Sequence, residues 1–147
     1  MTHRLLVEAP GDPSTARFLH VLEGTDAGAE ATTASLVQSD SGVAYSGLLL
    51  GRVAVLFPVT LGGPFTGTTY VVPATTRTQL VTGLEPGAGY TVSGAPVAVG
   101  TRVTVSPGGT RLAGPGGVLV VGEEPGSGIF ADGFENGSTT AWSQAAP

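Results

Sequence analysis

Short runs of apolar and β-branched residues alternate along the chain with clusters of Gly, Pro, Ser and Asp. This spacing is typical of sandwiches and barrels, and it predicts an antiparallel β-sandwich of about ten to twelve short strands. No segment shows the 3.6-residue periodicity of an amphipathic helix. The expected strands cover residues 3–8, 17–23, 32–38, 42–50, 52–59, 67–72, 77–82, 89–93, 97–105, 111–113 and 118–121.

Two of these runs are nearly continuous in apolar character. Arg17–Glu23 (RFLHVLE) reads as a strand buried on both faces, with Phe18 in the core and His20 as a hydrogen-bonded core or sub-surface residue. Phe57 is also expected in the core, because it lies in the apolar run of residues 52–59.

The character of the sequence changes after Gly122. Residues 123–128 (EEPGSG) are acidic and turn-forming, which is typical of a linker. We therefore expect a β-sandwich domain over residues 1–122 and a linker with a Gly-rich C-terminal tail over 123–147. The tail either docks its aromatic residues on the sandwich or hangs free.

Composition supports a folded all-β chain. The 147 residues include 24 Gly and 11 Pro, but 41% are hydrophobic and only 12% are charged, so apolar side chains suffice for a core. The chain also contains 18 Val and 19 Thr, whose β-branched side chains suit a pleated surface.

Charge and residue types exclude several functions. The six basic residues are all Arg and are scattered in sequence, and the net charge is -5, which disfavours nucleic-acid binding. The absence of Lys and Cys excludes Schiff-base, thiolate and disulfide chemistry. No apolar run is long enough to span a membrane. The start of the chain lacks a signal peptide, so we expect the export signal of a secreted parent protein to lie outside it.

The sequence offers no compact catalytic motif. His3 and His20 have no metal-ligand pattern beside them, and there is no GxSxG elbow, although a Ser-His-Asp triad can assemble in space from distant residues. Asp40 and the acids of residues 23–30 could hold Ca²⁺ or form a solvated loop. We expect no enzyme activity, no cofactor and no resident metal.

Aromatic residues are the usual sugar platforms of β-sandwiches, and this chain has only nine of them. The candidate glycan contacts are Tyr45, Tyr70, Trp142 and Asp40. Tyr45 and Tyr70 fall within predicted strands, where a place in the core is the alternative.

Residues 80–92 (LVTGLEPGAGYTV) carry the most specific pattern of the chain. It resembles the tyrosine corner of fibronectin type III-like sandwiches, with Leu84 and Tyr90 in the corner positions. Such a corner implies a hydroxyl that bonds back to the backbone and a structural role.

The order of the segments RLLVEAP, RFLHVLEGTDA, VAVLFPV, TTRTQLVTGLEPGAGYTV and VTVSPGGTRLAGPGGVLVVG resembles the C-terminal β-sandwich of bacterial polysaccharide lyases of the heparinase II/III type. The resemblance covers residues 3–122 and includes none of the catalytic residues of such lyases. Residues 129–143 (IFADGFENGSTTAWS) are similar to the "DGFESG…W" segment near the C-termini of many secreted bacterial proteins, with Asn136 in place of Ser.

These resemblances imply a non-catalytic accessory module of an exported bacterial polysaccharide-degrading enzyme, secreted or held at the cell envelope. Its expected partner is the catalytic domain of the parent enzyme or a polysaccharide. Two alternatives remain open, namely a free-standing carbohydrate-binding module and a structural protein that associates with its own copies.

Overall fold

The computed structural model describes residue 11 and residues 18–24 and 28–123. The chain divides into two compact units, Met1–Ala31 and Thr32–Pro147. All the regular secondary structure of the described residues lies in the second unit, and none of it is helical. The nine strands are β1 Ala34–Gly42, β2 Tyr45–Leu50, β3 Val53–Pro58, β4 Thr68–Val72, β5 Thr78–Val81, β6 Gly89–Val97, β7 Gly100–Pro107, β8 Arg111–Leu112 and β9 Leu119–Gly122.

These strands form one continuous sheet in the order β8-β6-β7-β4-β1-β2-β3-β5-β9. All pairs are antiparallel except β3 with β5, which is parallel. The long strand β1 pairs with β2 through residues 34–38 and with β4 through residues 39–42, and the register with β4 shifts between Ser39 and Ser41. The sheet is thereby nearly closed into a barrel. The all-β class is confirmed, whereas two separate sandwich layers are not.

The core lies on the concave side of this sheet. Successive side chains of a strand point to opposite faces, and the inward positions of neighbouring strands meet in register. One such row joins Val37, Gly47 and Leu56, and the pairing continues to Val81 and Leu119. The buried hydrophobic residues are Val37, Tyr45, Ala54, Leu56, Tyr70, Val72, Val81, Leu84, Tyr90, Val103, Val105, Ala113, Leu119 and Val121.

Strand β6 is longer than the sequence predicts. Gly94-Ala95-Pro96 was expected to interrupt the strands, yet β6 pairs with β7 through Pro96 and on to Val97. Val97 and Gly100 close a two-residue hairpin, and hydrogen-bonded pairs alternate from there along the ladder. Pro96 therefore falls at a position that needs no N–H bond to β7, which is where an edge strand tolerates proline.

The predicted strand Arg17–Glu23 is wrong in its described part. Residues 18–23 are irregular and exposed, and Phe18 is 51% exposed rather than in the core. The ring of His20, which was expected in or near the core, stacks on that of Phe18 with centroids 5.9 Å apart. The apolar side chains of this run therefore stay exposed, because no described strand pairs with it.

Two other predictions fall on undescribed segments. The strand expected at His3–Glu8 lies outside the described residues, as does the tail from residue 124 onward. The last strand, β9, ends at Gly122, the residue at which the sequence pattern changes.

Candidate functional site

Two of the candidate glycan contacts lie inside the core. Tyr45 is 2% exposed, and its hydroxyl donates to the carbonyl of Thr82 at 3.0 Å. Tyr70 is fully buried, and its hydroxyl donates to Oε1 of Gln79 at 2.8 Å. Neither ring offers a face to a sugar in this structure.

The other two candidates are not brought together with them. Asp40 is exposed on β1, and its Oδ2 lies 3.9 Å from Nε of Arg102. Trp142 lies outside the described residues. The structure therefore assembles no aromatic sugar platform from the described members of this set.

A cluster of three aromatic rings occupies one part of the core. Phe65 packs edge-on against Tyr45 and Tyr90, with ring centroids 6.1 Å and 5.6 Å away. Burial, and to a smaller extent the neighbouring Tyr90, raises the pKa of Tyr45 to about 12. Burial also raises the pKa of Tyr70 well above its usual range. Tyr45 and Tyr70 are thus neutral in the physiological range, and their buried rings belong to the core.

Leu84 and Tyr90 have the geometry of a tyrosine corner. Both side chains are buried, and the hydroxyl of Tyr90 accepts a hydrogen bond from the backbone N–H of Glu85 at 3.1 Å. The bond ties the start of β6 to the loop that precedes it. This is a structural role.

The charged residues in the described part of the chain are dispersed over its surface. No group of three or more His, Asp or Glu residues could hold a metal ion there. Arg77 and Glu123 form an exposed ion pair at 3.4 Å.

A row of aliphatic side chains crosses the outer surface of the sheet over five neighbouring strands. The paired residues Leu36, Leu48, Val55, Leu80 and Val120 alternate with inward core residues and therefore point outward. Leu36 is 66% exposed. We call this surface the apolar face, and its members are Leu36, Leu48, Leu50, Val53, Val55, Phe57, Leu80 and Val120.

Phe57 belongs to this face and not to the core. Its neighbour Leu56 is fully buried, so Phe57 points to the other side of β3 and is 43% exposed. The prediction of a core position is wrong, because the consecutive apolar residues of β3 place apolar side chains on both sides of the strand.

The outer surface of the other half of the sheet has the opposite character. Ser41, Thr69, Thr104 and Ser93 occupy paired outward positions on β1, β4, β7 and β6. The hydroxyls of Thr69 and Thr104 lie 3.1 Å apart and share a hydrogen bond. We call this row the hydroxyl face. One sheet thus carries an apolar and a polar outer surface side by side.

Sequence reasoning missed the apolar face, although a signal was present. Residues 48–50 and 53–57 are apolar at consecutive positions, which is typical of strands covered on both sides. A strand with one side in water shows alternation instead. The outward half of these runs is the candidate functional surface of the chain.

Comparisons with known protein families, curated proteins and solved structures gave no match to this sequence. In the part of the chain that the structure describes, no helix is long and apolar enough to cross a membrane.

Proposed function

We propose that the chain is a non-catalytic accessory module of an exported bacterial polysaccharide-degrading enzyme, and that its apolar face packs against the catalytic domain. The observation that carries the proposal is the contrast between the apolar face and the hydroxyl face of the same sheet. Exposed apolar patches on soluble proteins mark interaction sites. The sequence resemblance supplies the class of the partner.

The size of the apolar face favours a tethered partner. Five strands about 4.8 Å wide and five residues with a rise of about 3.3 Å each cover roughly 24 by 16 Å, so the face has an area of about 400 Å². A stable complex of free proteins buries about 800 Å² on each side. Interfaces between domains of one chain bury roughly 300–750 Å² on each side, and the apolar face fits this class.

The energetics lead to the same class of partner. Burying roughly 400 Å² of apolar surface gives about 10 kcal/mol before costs. Association of two free molecules costs an estimated 4 to 15 kcal/mol or more, which offsets much or all of this gain. A covalent tether raises the effective concentration of the partner to the millimolar range and makes a small face sufficient.

Self-association is the second candidate function, and the same face favours it. The row from Leu36 to Val120 contains no charged residue, so two copies can meet there without burying a charge. Sedimentation velocity over a wide concentration range separates the two functions. An accessory module stays monomeric, whereas a self-associating protein gains mass with concentration.

The decisive experiment joins a heparinase II/III-type catalytic domain from the source genome to the isotope-labelled chain through a flexible linker and compares the amide NMR shifts with those of the chain alone. We expect shifts confined to the apolar face and their loss in Leu36→Lys. Ser41→Lys is the matched control, because it places the same charge on an exposed position of the same strand, at the hydroxyl face.

Two outcomes would contradict the proposal. If the catalytic domain shifts no amide of the apolar face, the chain does not pack against it. If heparan sulfate, alginate or chitin instead causes saturable shifts at one end of the sheet, the chain is a carbohydrate-binding module.

A further inference from the structure

The sheet does not close completely. A cleft lies between β6 and β9, which do not pair with each other. β6 pairs with β8 only at Gly89 and Tyr90, so from Val92 onward it has β7 on one side and no described strand on the other. β9 likewise pairs with β5 alone. The gap between them leads from the surface to the core.

The inner part of this cleft is mainly apolar and has a volume of about 230 Å³. Val72, Val92, Val103 and Val121 line it, together with Gly94 and Gln79. The Oε1 atom of Gln79 is already engaged by the buried hydroxyl of Tyr70. For comparison, a cavity of roughly 150 Å³ in another protein holds benzene. The inner part can therefore take an aliphatic or aromatic group of modest size.

The mouth of the cleft is polar and cationic, with a volume of about 550 Å³. Arg52, Arg77, Thr75, Thr76 and Glu123 line it. The backbone N–H of Arg77 donates to the carbonyl of Arg52 at 2.9 Å, so the two arginines are held side by side. The described charges of the mouth are thus two guanidinium groups and one carboxylate, in a chain of net charge -5.

The inner part and the mouth share Thr76, Arg77 and Gly122 and so form one continuous site. At this junction, Oγ1 of Thr76 is buried and has no hydrogen-bond partner. A buried hydroxyl without a partner is destabilising, and most buried polar groups in folded proteins bond to another protein group or to ordered water. Thr76 thus lies where the apolar and the cationic parts of the cleft meet.

From this arrangement we propose that the cleft binds a small organic carboxylate with an apolar tail. The carboxylate lies at Arg52 and Arg77, whose guanidinium groups suit two-pronged bonding to it. The tail enters between Val92 and Val121. The exposed pair of Arg77 with Glu123 is weak and yields to the ligand. This site is separate from the apolar face and does not depend on the proposed accessory role.

The test is an amide NMR titration of the full chain with 4-phenylbutyrate. We expect saturable shifts at Thr76, Gly94 and Val121, with a dissociation constant on the order of a millimolar. Acetate, which lacks the tail, and 4-phenylbutan-1-ol, which lacks the charge, are expected to bind at least about tenfold more weakly.

Substitutions at the mouth test the charge. Arg77→Gln and Arg52→Gln should each weaken 4-phenylbutyrate binding about tenfold. Arg102→Gln is the matched control, since this exposed arginine lies near Asp40 and away from the cleft. Its binding constant should equal that of the unchanged chain.

A substitution in the inner part tests the tail. A Cβ added at Gly94 meets only Cγ2 of Thr101, at 3.4 Å, so the backbone admits a side chain at this position of the cleft lining, and Gly94→Leu is expected to occupy the inner part. We expect this variant to keep its thermal midpoint and lose binding. Ala95→Leu, one residue along and on the opposite side of β6, should retain binding.

Three results would overturn the proposal. The first is the absence of saturable shifts up to about 20 mM acid. The second is equal binding of the acid and the alcohol. The third is an equal loss of binding in Arg102→Gln and Arg77→Gln.

Discussion

The hydrogen bond between Tyr70 and Gln79 joins two polar side chains inside an otherwise apolar core. Tyr70 is fully buried and Gln79 is 7% exposed. Tyr70→Phe leaves Oε1 of Gln79 without its donor, and we expect it to lower the free energy of unfolding by about 1–3 kcal/mol in urea denaturation. The double variant Tyr70→Phe with Gln79→Met removes both partners and should lose less than the sum of the two single variants. A strictly additive loss would contradict the coupling.

The raised tyrosine pKa values make stability depend on alkaline pH. Tyr45, with a pKa of about 12, and Tyr70 ionise later in the folded chain than in the unfolded chain, where tyrosine ionises near pH 10. Above about pH 10 the unfolded state therefore binds fewer protons, and stability falls as pH rises. The contribution is fully present below pH 10 and is lost as pH rises through the folded pKa, by up to about 1.4 kcal/mol per pH unit for each tyrosine.

Urea denaturation at several pH values between about 8 and 11 measures this slope. Tyr45→Phe should make the decline less steep, because phenylalanine has no proton to lose. A free energy of unfolding that stays constant from pH 9 to 11 would show that the two hydroxyls have the same pKa in the folded and the unfolded state.

At the scale of elements, Gly47 allows strands β2 and β3 to approach closely. A Cβ at this position would overlap the carbonyl oxygen of Val55 and touch Cα of Leu56. Because the obstacle is backbone, we expect Gly47→Ala to lower the free energy of unfolding by about 1–3 kcal/mol or more. Gly116→Ala is the control, since its Cβ would meet nothing within 4 Å. Equal stability of both variants would show that the two strands can move apart at little cost.

The strands of the second unit could be predicted because their signals are local. Apolar runs and Gly or Pro turns predict the bounds of all nine strands within a few residues, except that β6 continues through Gly94-Ala95-Pro96. Whether a strand can continue through Pro96 depends on which edge of β6 has a partner strand, and this is a property of the whole sheet. The positions of Phe18 and Phe57 could not be predicted for a similar reason. Hydrophobicity indicates that a side chain favours burial, but not whether a neighbouring element supplies the cover.

The arrangement of the second unit explains why its surfaces differ. Because β1 pairs on both sides, one continuous sheet encloses a single core, and each strand has an outward row that no other described strand covers. The outward rows of β2 and β3 are apolar, whereas those of β4 and β7 are mainly polar. The incomplete closure between β6 and β9 leaves the cleft. Candidate sites on this molecule therefore arise from what the sheet leaves open, and only the topology reveals them.

The whole fold of the second unit should depend on residues 32–123 alone. Every buried hydrophobic residue of the described chain lies between Val37 and Val121. We expect a fragment of residues 32–123 to unfold cooperatively, with a free energy of unfolding within about 1 kcal/mol of that of the full chain. A fragment ending at residue 118 is the control. It lacks β9 with the buried Leu119 and Val121, and loss of these two core residues should prevent stable folding. Circular dichroism with urea denaturation measures all three chains. If the 32–123 fragment were much less stable than the full chain, residues outside this range would have to complete the core.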